Sequence, residues 1–411
     1  MAEAVVRVAG RGLAAPPPLA LYLHLPWCVR KCPYCDFNSH GLLLSPAGGR
    51  AGGEGSLPEA AYVDALLADL ERALPEIWGR RIHSVFFGGG TPSLFSPEAI
   101  DRVLQGVRAL TPLLPGAEVT LEANPGTVEA GRFRGYREAG VTRLSLGIQS
   151  FDPHHLQALG RIHDDIEARR AVELAATHFE TFNLDLMYAL PGQTLAGALA
   201  DVDVALSFAP PHLSAYHLTL EPNTPFGHMA PPGLPDDDLA ADMQAAIEAR
   251  LADAGLAHYE TSAFARPGHA CRHNLNYWEF GDYLGIGAGA HSKLSFHDRI
   301  VRQMRVKHPQ RYLEAVPAGT QIAEVRKLTR ADLPFEFMMN ALRLCGGVPA
   351  PLFEARTGLP LAVCDAAFAR GRARDLLETD AARIAPTPRG QRFLNDLLEL
   401  FLADDGRQAR E

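Results

Sequence analysis

Short segments rich in β-branched and aromatic residues alternate with amphipathic segments between residues 20 and 218 of this chain. The predicted strands are LYLHL (21–25), IHSVFF (82–87), EVTLEA (118–123), TRLSLGI (142–148), FNLDLM (182–187) and HLSAYHL (212–218). Apolar residues recur at helical spacing between them, as in residues 58–74, 96–110 and 194–208. Such β–α repeats favour a parallel sheet, either doubly wound or barrel-like, so the predicted class is α/β.

The alternation of strand and helix patterns ends after residue 218, and the chain divides into four predicted regions. These are a flexible N-terminal tail (1–19), the β–α region (20–220), an extension (221–325) and an α-rich C-terminal domain (326–411). In the extension we expect a helix near 236–255, a strand near 258–265 and a glycine- and aromatic-rich segment at 271–296. Helical patterns at 331–344 and 387–403 support the last region. The glycine-rich residues 41–56 predict a mobile loop.

Composition excludes several classes of function. The 411 residues include 48 acidic and 39 basic ones, a net charge of −9, so neither a nucleic-acid groove nor a patch for anionic membranes is predicted. No apolar run is long enough to span a bilayer. Six cysteines in a chain of this length do not form the disulfide framework of a secreted protein, so we expect a reducing cytoplasm. The acidic Glu3 and the scarcity of hydroxyl residues make the tail unlike a transit peptide.

Three of the six cysteines, Cys28, Cys32 and Cys35, follow one another at a spacing of C-x3-C-x2-C. On a helix this spacing would place them on one face as small, buried apolar residues. Pro33 would break such a helix, so a loop that wraps a metal is the better prediction. Structural zinc sites and ordinary ferredoxin clusters take four ligands. Three thiolates on a four-iron cluster would leave one iron open to bind and activate a ligand.

Polar or glycine-rich residues end several predicted strands. Residues 88–91, GGGT, follow the second strand, where glycine lets backbone N–H groups approach a ligand and form an anion-binding nest. The alternative is a tight turn. Glu122, Gln149 and Asp185 end the next three strands, although each alone would more often be a helix cap or loop residue. Because the carboxyl ends of parallel strands build the active sites of β/α barrels, we expect these side chains to line one site.

The cysteine spacing, with Tyr34 before the third cysteine, resembles the signature of the radical S-adenosylmethionine (SAM) superfamily. In that superfamily three cysteines hold a [4Fe-4S] cluster whose open iron binds SAM, and reductive cleavage of SAM gives a 5′-deoxyadenosyl radical. From residue 20 to about 400, the chain is similar to the oxygen-independent coproporphyrinogen III oxidase-like family. The resemblance rests on YLHLPWCVRKCPYCDF, FFGGGTPSL, LEANPG, SLGIQSFDPHHLQALGRIH, NLDLMYALPGQT, HLTLEPNTPF, GIGAGAHS and FEFMMNALRL.

The resemblance implies a partial barrel of six β/α units followed by a C-terminal α-rich domain. It implies cluster ligation by Cys28, Cys32 and Cys35, and SAM contacts by Tyr22, Tyr34, Gly89, Gly90, Thr91, Glu122, Gln149, Arg161 and Asp185. Tyr216 and His291 lie near further SAM-contacting positions of the family. An arginine such as Arg161 could instead pair with a surface acid, but its place just after HLQALG favours the SAM role.

Two branches of this family differ at residues that this chain allows us to compare. The oxidases carry a fourth cysteine two residues after the cluster motif, where this chain has Phe37. Heme chaperones lack that cysteine and carry an H-N-x-x-Y-W stretch, which implies heme binding here by His273, Asn274, Tyr277 and Trp278. An imidazole can ligate heme iron, and aromatic rings can stack on the macrocycle. Cys271 is a further thiolate candidate. The alternative is a loop whose aromatic residues cover the open end of the barrel.

The sequence therefore predicts a heme chaperone that binds heme, SAM and a [4Fe-4S] cluster and transfers heme to an acceptor hemoprotein. An oxygen-independent coproporphyrinogen III oxidase or another radical SAM enzyme is the alternative, and a zinc-binding interaction module is a more distant one. We expect a flavodoxin- or ferredoxin-like electron donor, membrane contact only through an acceptor, and no nucleic acid. The heme ligand, covalent attachment of heme, the acceptor, SAM cleavage in turnover and a homodimeric state are left open.

Overall fold

The computed structural model of the protein describes residues 12–42, 57–127 and 130–402. Residues 1–11 of the predicted tail and residues 43–56 of the predicted glycine-rich loop lie outside the described residues, as do residues 403–411 at the end of the predicted C-terminal domain. None of the described helices has the length and apolarity needed to cross a membrane.

A twelve-stranded sheet forms the centre of the described chain. Its strands are β1 (Leu19–Leu25), β2 (Ile82–Gly89), β3 (Leu113–Ala123), β4 (Arg143–Gln149), β5 (Thr181–Tyr188), β6 (His212–His217), β7 (Ala257–Glu260), β8 (Ala263–Ala265), β9 (Asp282–Ile286), β10 (His291–Ser295), β11 (Ile300–Arg305) and β12 (Ile322–Lys327). Across the sheet they lie in the order β12-β11-β10-β9-β1-β2-β3-β4-β5-β6-β8-β7. The strands from β9 to β6 in this order are parallel, and the outer strands on both sides pair antiparallel. The predicted α/β class is confirmed, and β9 adds a seventh parallel strand to the six predicted.

The helices that connect successive parallel strands follow the predicted amphipathic segments. All α-helices of the described chain are, in order, α1 (Glu59–Ala73), α2 (Pro97–Leu110), α3 (Ala130–Ala139), α4 (Pro153–Ala158), α5 (Asp165–His178), α6 (Leu195–Ser207), α7 (Pro225–His228), α8 (Asp237–Asp253), α9 (Arg272–Trp278), α10 (Pro309–Ala318), α11 (Leu333–Ala341), α12 (Pro351–Thr357), α13 (Asp365–Ala373), α14 (Pro388–Arg392) and α15 (Leu394–Glu399). In α2 the Ser96 side chain accepts a hydrogen bond from Ala99 N at 3.1 Å, which caps the helix, and Pro97 follows in the first turn. Its buried face, with Ile100 and Val103, packs into the core beneath the sheet.

Two apolar cores stabilise the described chain. The larger core lies between the parallel strands and their helices and includes Leu21, Val85 and Leu144. The second lies among the C-terminal helices around Phe337 and also takes in Phe280, which precedes β9. The predicted single helix at 387–403 is instead two short helices, α14 and α15, because the backbone at Phe393 leaves the helical conformation between them.

The register of the parallel strands places polar residues of neighbouring strands beside one another. Glu122 on β3 lies beside Ser145 on β4, and Asp185 on β5 lies beside Gly147 on β4 and Ser214 on β6. Because alternate residues of a strand share a face, these side chains point to the same side of the sheet. The candidate functional site lies on this side of the sheet.

Candidate functional site

Cys32 and Cys35 lie on a loop, as Pro33 predicts, and Cys28 ends the short strand that precedes it. The loop runs between two short paired strands, Trp27–Cys28 and His40–Gly41. Asn38 anchors its end, because its Nδ2 donates to the carbonyl oxygens of Ala288 at 3.0 Å and Lys307 at 2.9 Å. The loop is thereby tied to the segments that follow β9 and β11.

The three thiols line one cavity of about 160 Å³, named here the thiol cavity. Thr91 Oγ1 donates to Cys28 Sγ at 3.5 Å, and Arg161 Nη1 donates to Cys32 Sγ at 3.6 Å. Burial raises the pKa of the Cys28 and Cys35 thiols. Among the described residues, no group of three or more His, Cys, Asp or Glu side chains is arranged to hold a single metal ion. In an iron–sulfur cluster each thiolate binds a different iron, and thiols spread around one cavity fit that requirement.

The glycine run after β2 forms a second wall of the thiol cavity. Gly89 has φ of +118°, and a Cβ there would lie 2.6 Å from the His24 ring. A Cβ on Gly90 would lie 2.5 Å from the Trp27 carbonyl oxygen. Both positions therefore require glycine, and the backbone stays accessible to a ligand.

Two carboxyl groups, Glu122 and Asp185, form the floor of the thiol cavity. Burial, and then the neighbouring Asp185, raise the pKa of Glu122 to about 8, although the Gly89 N–H donates to its Oε2 at 3.3 Å. Asp185 accepts hydrogen bonds from Asn183 Nδ2 at 2.8 Å and Ser145 Oγ at 3.1 Å. These bonds stabilise its charged form, yet burial still raises the pKa of Asp185. The floor is suited to a ligand that carries positive charge or several hydrogen-bond donors.

Gln149 and Arg161 complete the thiol cavity. Gln149 has φ of +71°, a left-handed conformation that is rare outside glycine and concentrates at functional sites. Arg161 donates to the Gly147 carbonyl oxygen at 2.7 Å and to Tyr34 Oη at 3.5 Å, and it also contacts Asn124. It therefore points into the cavity and away from the surface.

A second cavity of about 490 Å³, named here the aromatic cavity, adjoins the first. It is lined by Tyr22, His24, Phe37, Asn38, Gly89, Glu122, Tyr277, Trp278, Tyr283, Gly289, His291, Arg302, Met339 and Asn340. Phe37, Gly89 and Glu122 line both cavities and form a shared wall. Outside that wall, Tyr22, Tyr277, Trp278 and Tyr283 are aromatic lining residues, so the cavity contains several flat apolar faces.

The residues predicted to contact SAM divide between the two cavities. Tyr34, Gly89, Gly90, Thr91, Glu122, Gln149, Arg161 and Asp185 line the thiol cavity with the three cysteines. Tyr22 lines the aromatic cavity instead, and so does His291. Tyr216 lines neither of these two cavities and is 39% exposed.

The residues predicted to bind heme are also divided. Tyr277 and Trp278 line the aromatic cavity, but His273 and Asn274 do not. His273 is 1% exposed, and its ring nitrogens are hydrogen bonded to Ser84 Oγ at 3.0 Å and Tyr277 Oη at 3.1 Å. Burial lowers the pKa of His273 to about 3, so its ring is neutral. Cys271 is likewise buried, beside Glu118. The structure thus does not bring His273, a candidate iron ligand, to a wall of either cavity.

Several lining residues were missed from the sequence. Asn124, Ser145 and Gly147 of the thiol cavity lie inside the motifs LEANPG and SLGIQS, so their positions after strand-forming residues could have identified them. Arg302 and Tyr283 of the aromatic cavity have no local pattern of this kind. They reach it only through the pairing of β9, β10 and β11.

Comparisons with known proteins agree with this geometry. The sequence model of the radical SAM superfamily matches residues 22–204, and that of the HemN C-terminal domain matches residues 328–393. A protein of Escherichia coli K12 named heme chaperone HemW is 48% identical over 390 residues, which covers 94% of this chain and 99% of the relative. A protein of the same name from Mycobacterium tuberculosis H37Rv is 37% identical over 403 residues, covering 95% and 97%.

The solved structure of coproporphyrinogen III oxidase (HemN) from Escherichia coli, described as a radical SAM enzyme, has the same fold. It superposes with a TM-score of 0.77 at 23% sequence identity and covers 94% of this chain and 90% of its own. The chain belongs to the radical SAM superfamily and, within it, to the HemW family. Membership of this superfamily implies SAM and a [4Fe-4S] cluster as cofactors.

Proposed function

We propose that this protein is a heme chaperone that holds heme in the aromatic cavity and transfers it to an acceptor hemoprotein. The observation that carries the proposal is the large aromatic cavity, which shares a wall with the thiol cavity. The names of the relatives, at up to 48% identity over nearly the whole chain, point to the same activity. The cytoplasm is the proposed compartment, and a flavodoxin- or ferredoxin-like protein is the proposed electron donor.

The thiol cavity fits the cluster and SAM. Cys28, Cys32 and Cys35 would ligate three irons, and the fourth iron, when the cluster is bound, supplies the site for SAM. Gly89 and Gly90 keep backbone within reach of a ligand, and Glu122 and Asp185 offer carboxyl groups to its cationic parts. Arg161 hydrogen bonds to a cysteine and to Tyr34, so it links the cysteine loop to the strand ends.

The aromatic cavity fits a tetrapyrrole. Tyr277 and Trp278 offer faces for stacking, and Met339 adds a flexible apolar contact. We propose His291 as the iron ligand in place of His273, because His291 lines the cavity and its side chain is exposed there. Burial and the nearby cations Lys307 and Arg302 lower the pKa of His291, which favours the neutral imidazole that metals bind. His273 would first have to break two hydrogen bonds.

The residue at position 37 argues against the alternative that the protein is a coproporphyrinogen III oxidase. Phe37, which is 61% exposed, stands where the resembled oxidases carry a fourth cysteine, and the structural likeness to HemN at 23% identity concerns the fold alone. An anaerobic assay with the cluster-loaded protein, SAM, a reductant and coproporphyrinogen III tests this point. We expect no loss of propionate carboxyl groups, and formation of protoporphyrinogen would make the protein an oxidase.

Heme titration of the cluster-loaded protein tests the chaperone proposal. We expect wild-type protein to bind heme, and Trp278→Ala to lower its affinity about tenfold, since an aromatic contact contributes about 0.5–1.5 kcal/mol beyond the area that it buries. Trp78→Ala is the matched control, because Trp78 is 83% exposed and lines neither of the two cavities. Transfer is then followed by mixing loaded protein with an apo-hemoprotein. Equal heme affinity of wild type and Trp278→Ala would remove the aromatic cavity from the proposal.

A further inference from the structure

We infer that Arg302 is the anion anchor of the aromatic cavity and that it holds the propionate carboxylates of the bound tetrapyrrole. The inference rests on the proposed function and names the group of the ligand that is recognised there. It also assigns an orientation, since heme carries its two propionates on one edge of an otherwise apolar ring.

Arg302 is held in place at the cavity wall by two partners. Its Nη1 donates to Tyr283 Oη at 2.8 Å, its Nε donates to Glu336 Oε2 at 3.0 Å, and its Nη2 donates to the same Glu336 oxygen. The Arg302 side chain is 25% exposed, whereas that of Glu336 is 8% exposed. A guanidinium has five N–H donors in a fixed planar fork, so donors remain for a ligand after these bonds are made. The group is therefore positioned before any ligand arrives.

Arg302 shares its carboxylate partner with a second arginine. Glu336 accepts hydrogen bonds from both Arg302 and Arg326, so one carboxylate is shared by two guanidinium groups. Arg326 also lies near the Asp332 carboxylate, so it has a second acidic neighbour. The N–H donors of Arg302 that remain free would bind a ligand carboxylate through charge-assisted hydrogen bonds, which are stronger than neutral ones.

The carboxyl group of Glu122, which lines both cavities, is compatible with anion binding by Arg302. Burial raises the pKa of Glu122 to about 8, so at neutral pH it is mainly protonated and does not repel an incoming anion. The stacking residues Tyr277 and Trp278 lie on α9, whereas Arg302 lies on β11, next to α11. The aromatic faces and the cationic group therefore come from different elements and can contact different parts of one ligand.

The opposing explanation is that Arg302 serves only to join β11 to α11 through a half-buried ion pair. A ligand-side experiment separates the two. Heme and heme dimethyl ester, in which both carboxylates are masked, are titrated into the cluster-loaded wild-type protein in the same dilute detergent. We expect heme to bind about tenfold or more tightly than the ester.

Two variants then test whether Arg302 causes the preference for heme over its dimethyl ester. Arg302→Gln is expected to bind heme and the ester equally well. Arg326→Gln is the matched control, because Arg326 pairs with the same Glu336 and lies opposite Arg302 in the sheet but does not line the aromatic cavity. It is expected to keep the preference for heme.

The outcomes distinguish this inference from the proposed function. Equal affinity of wild-type protein for heme and the ester would overturn the inference while leaving heme binding intact, and this comparison needs no variant to fold. A preference that survives in Arg302→Gln would also overturn it. Failure of wild-type protein to bind either compound would overturn the proposed function and the inference together.

Discussion

The thiol cavity and the aromatic cavity lie side by side but are built in different ways. Walls of the thiol cavity are the ends of consecutive parallel strands, β2 to β5, together with the cysteine loop. The aromatic cavity is lined by the consecutive elements α9, β9, β10 and β11 together with β1 and α11, which come from other parts of the chain. A repeated β–α unit brings successive strand ends together by itself. A cavity closed by appended elements depends instead on how those elements pair and pack.

The largest effect is expected from the thiol cavity. Cys32→Ala removes one of three thiolates, so the cluster should be lost and iron should fall from about four per chain to near zero after anaerobic reconstitution. Heme binding in the aromatic cavity should persist, because Cys32 does not line it. Cys364→Ala is the control, since Cys364 is buried among the C-terminal helices. A Cys32→Ala protein that retains four irons would refute the assignment of the cluster.

The next prediction sets the sequence motif against the geometry. His291→Ala should change the absorption spectrum of bound heme and lower its affinity about tenfold or more. His273→Ala should leave the spectrum unchanged. It should instead lower the free energy of unfolding by about 1–3 kcal/mol, because Ser84, which is buried, loses its partner. Heme spectra and denaturant unfolding of both variants provide the measurements. The reverse pattern would restore His273 as the ligand.

The smallest effect concerns the pH dependence of SAM binding. Burial raises the pKa of Glu122 from 4.5 to about 8, so the free site holds a proton at neutral pH. A cationic ligand favours the carboxylate, and binding should therefore release this proton. Affinity should rise as pH increases from 6 towards 8, by at most tenfold per unit for one proton.

Glu122→Gln should reduce the dependence of SAM affinity on pH. The amino group of SAM titrates with both proteins, so its contribution cancels when the two are compared. Calorimetry of the cluster-loaded proteins in buffers of different ionisation enthalpy measures the proton release. Identical release by both proteins would show that Glu122 does not change its protonation on binding.

Sequence reasoning succeeded where a residue ends a strand or belongs to a local motif. Glu122, Gln149 and Asp185 are of the first kind, and the register of neighbouring strands brings them into one cavity. The α/β class followed from the same periodicity. Strand β9 was missed because its sequence, DYLGI, lies in a glycine- and aromatic-rich segment, and its place beside β1 depends on long-range pairing.

The aromatic cavity could be predicted only in part. Tyr277 and Trp278 were identified from the motif, but the motif does not say which way each side chain of α9 points. His273 and Tyr277 lie one helical turn apart, and the hydrogen bond between them turns the imidazole inward. Arg302 and Met339 lie on separate elements, and no local pattern relates them to the motif.

Because Phe37, Gly89 and Glu122 line both cavities, ligands in the two cavities would contact the same three residues. A molecule on one side fixes side chains that form the boundary for a molecule on the other side. Any factor by which SAM changes the affinity for heme must therefore equal the factor by which heme changes the affinity for SAM. Under the proposed function, transfer of heme to an acceptor would then change the affinity for SAM by that same factor.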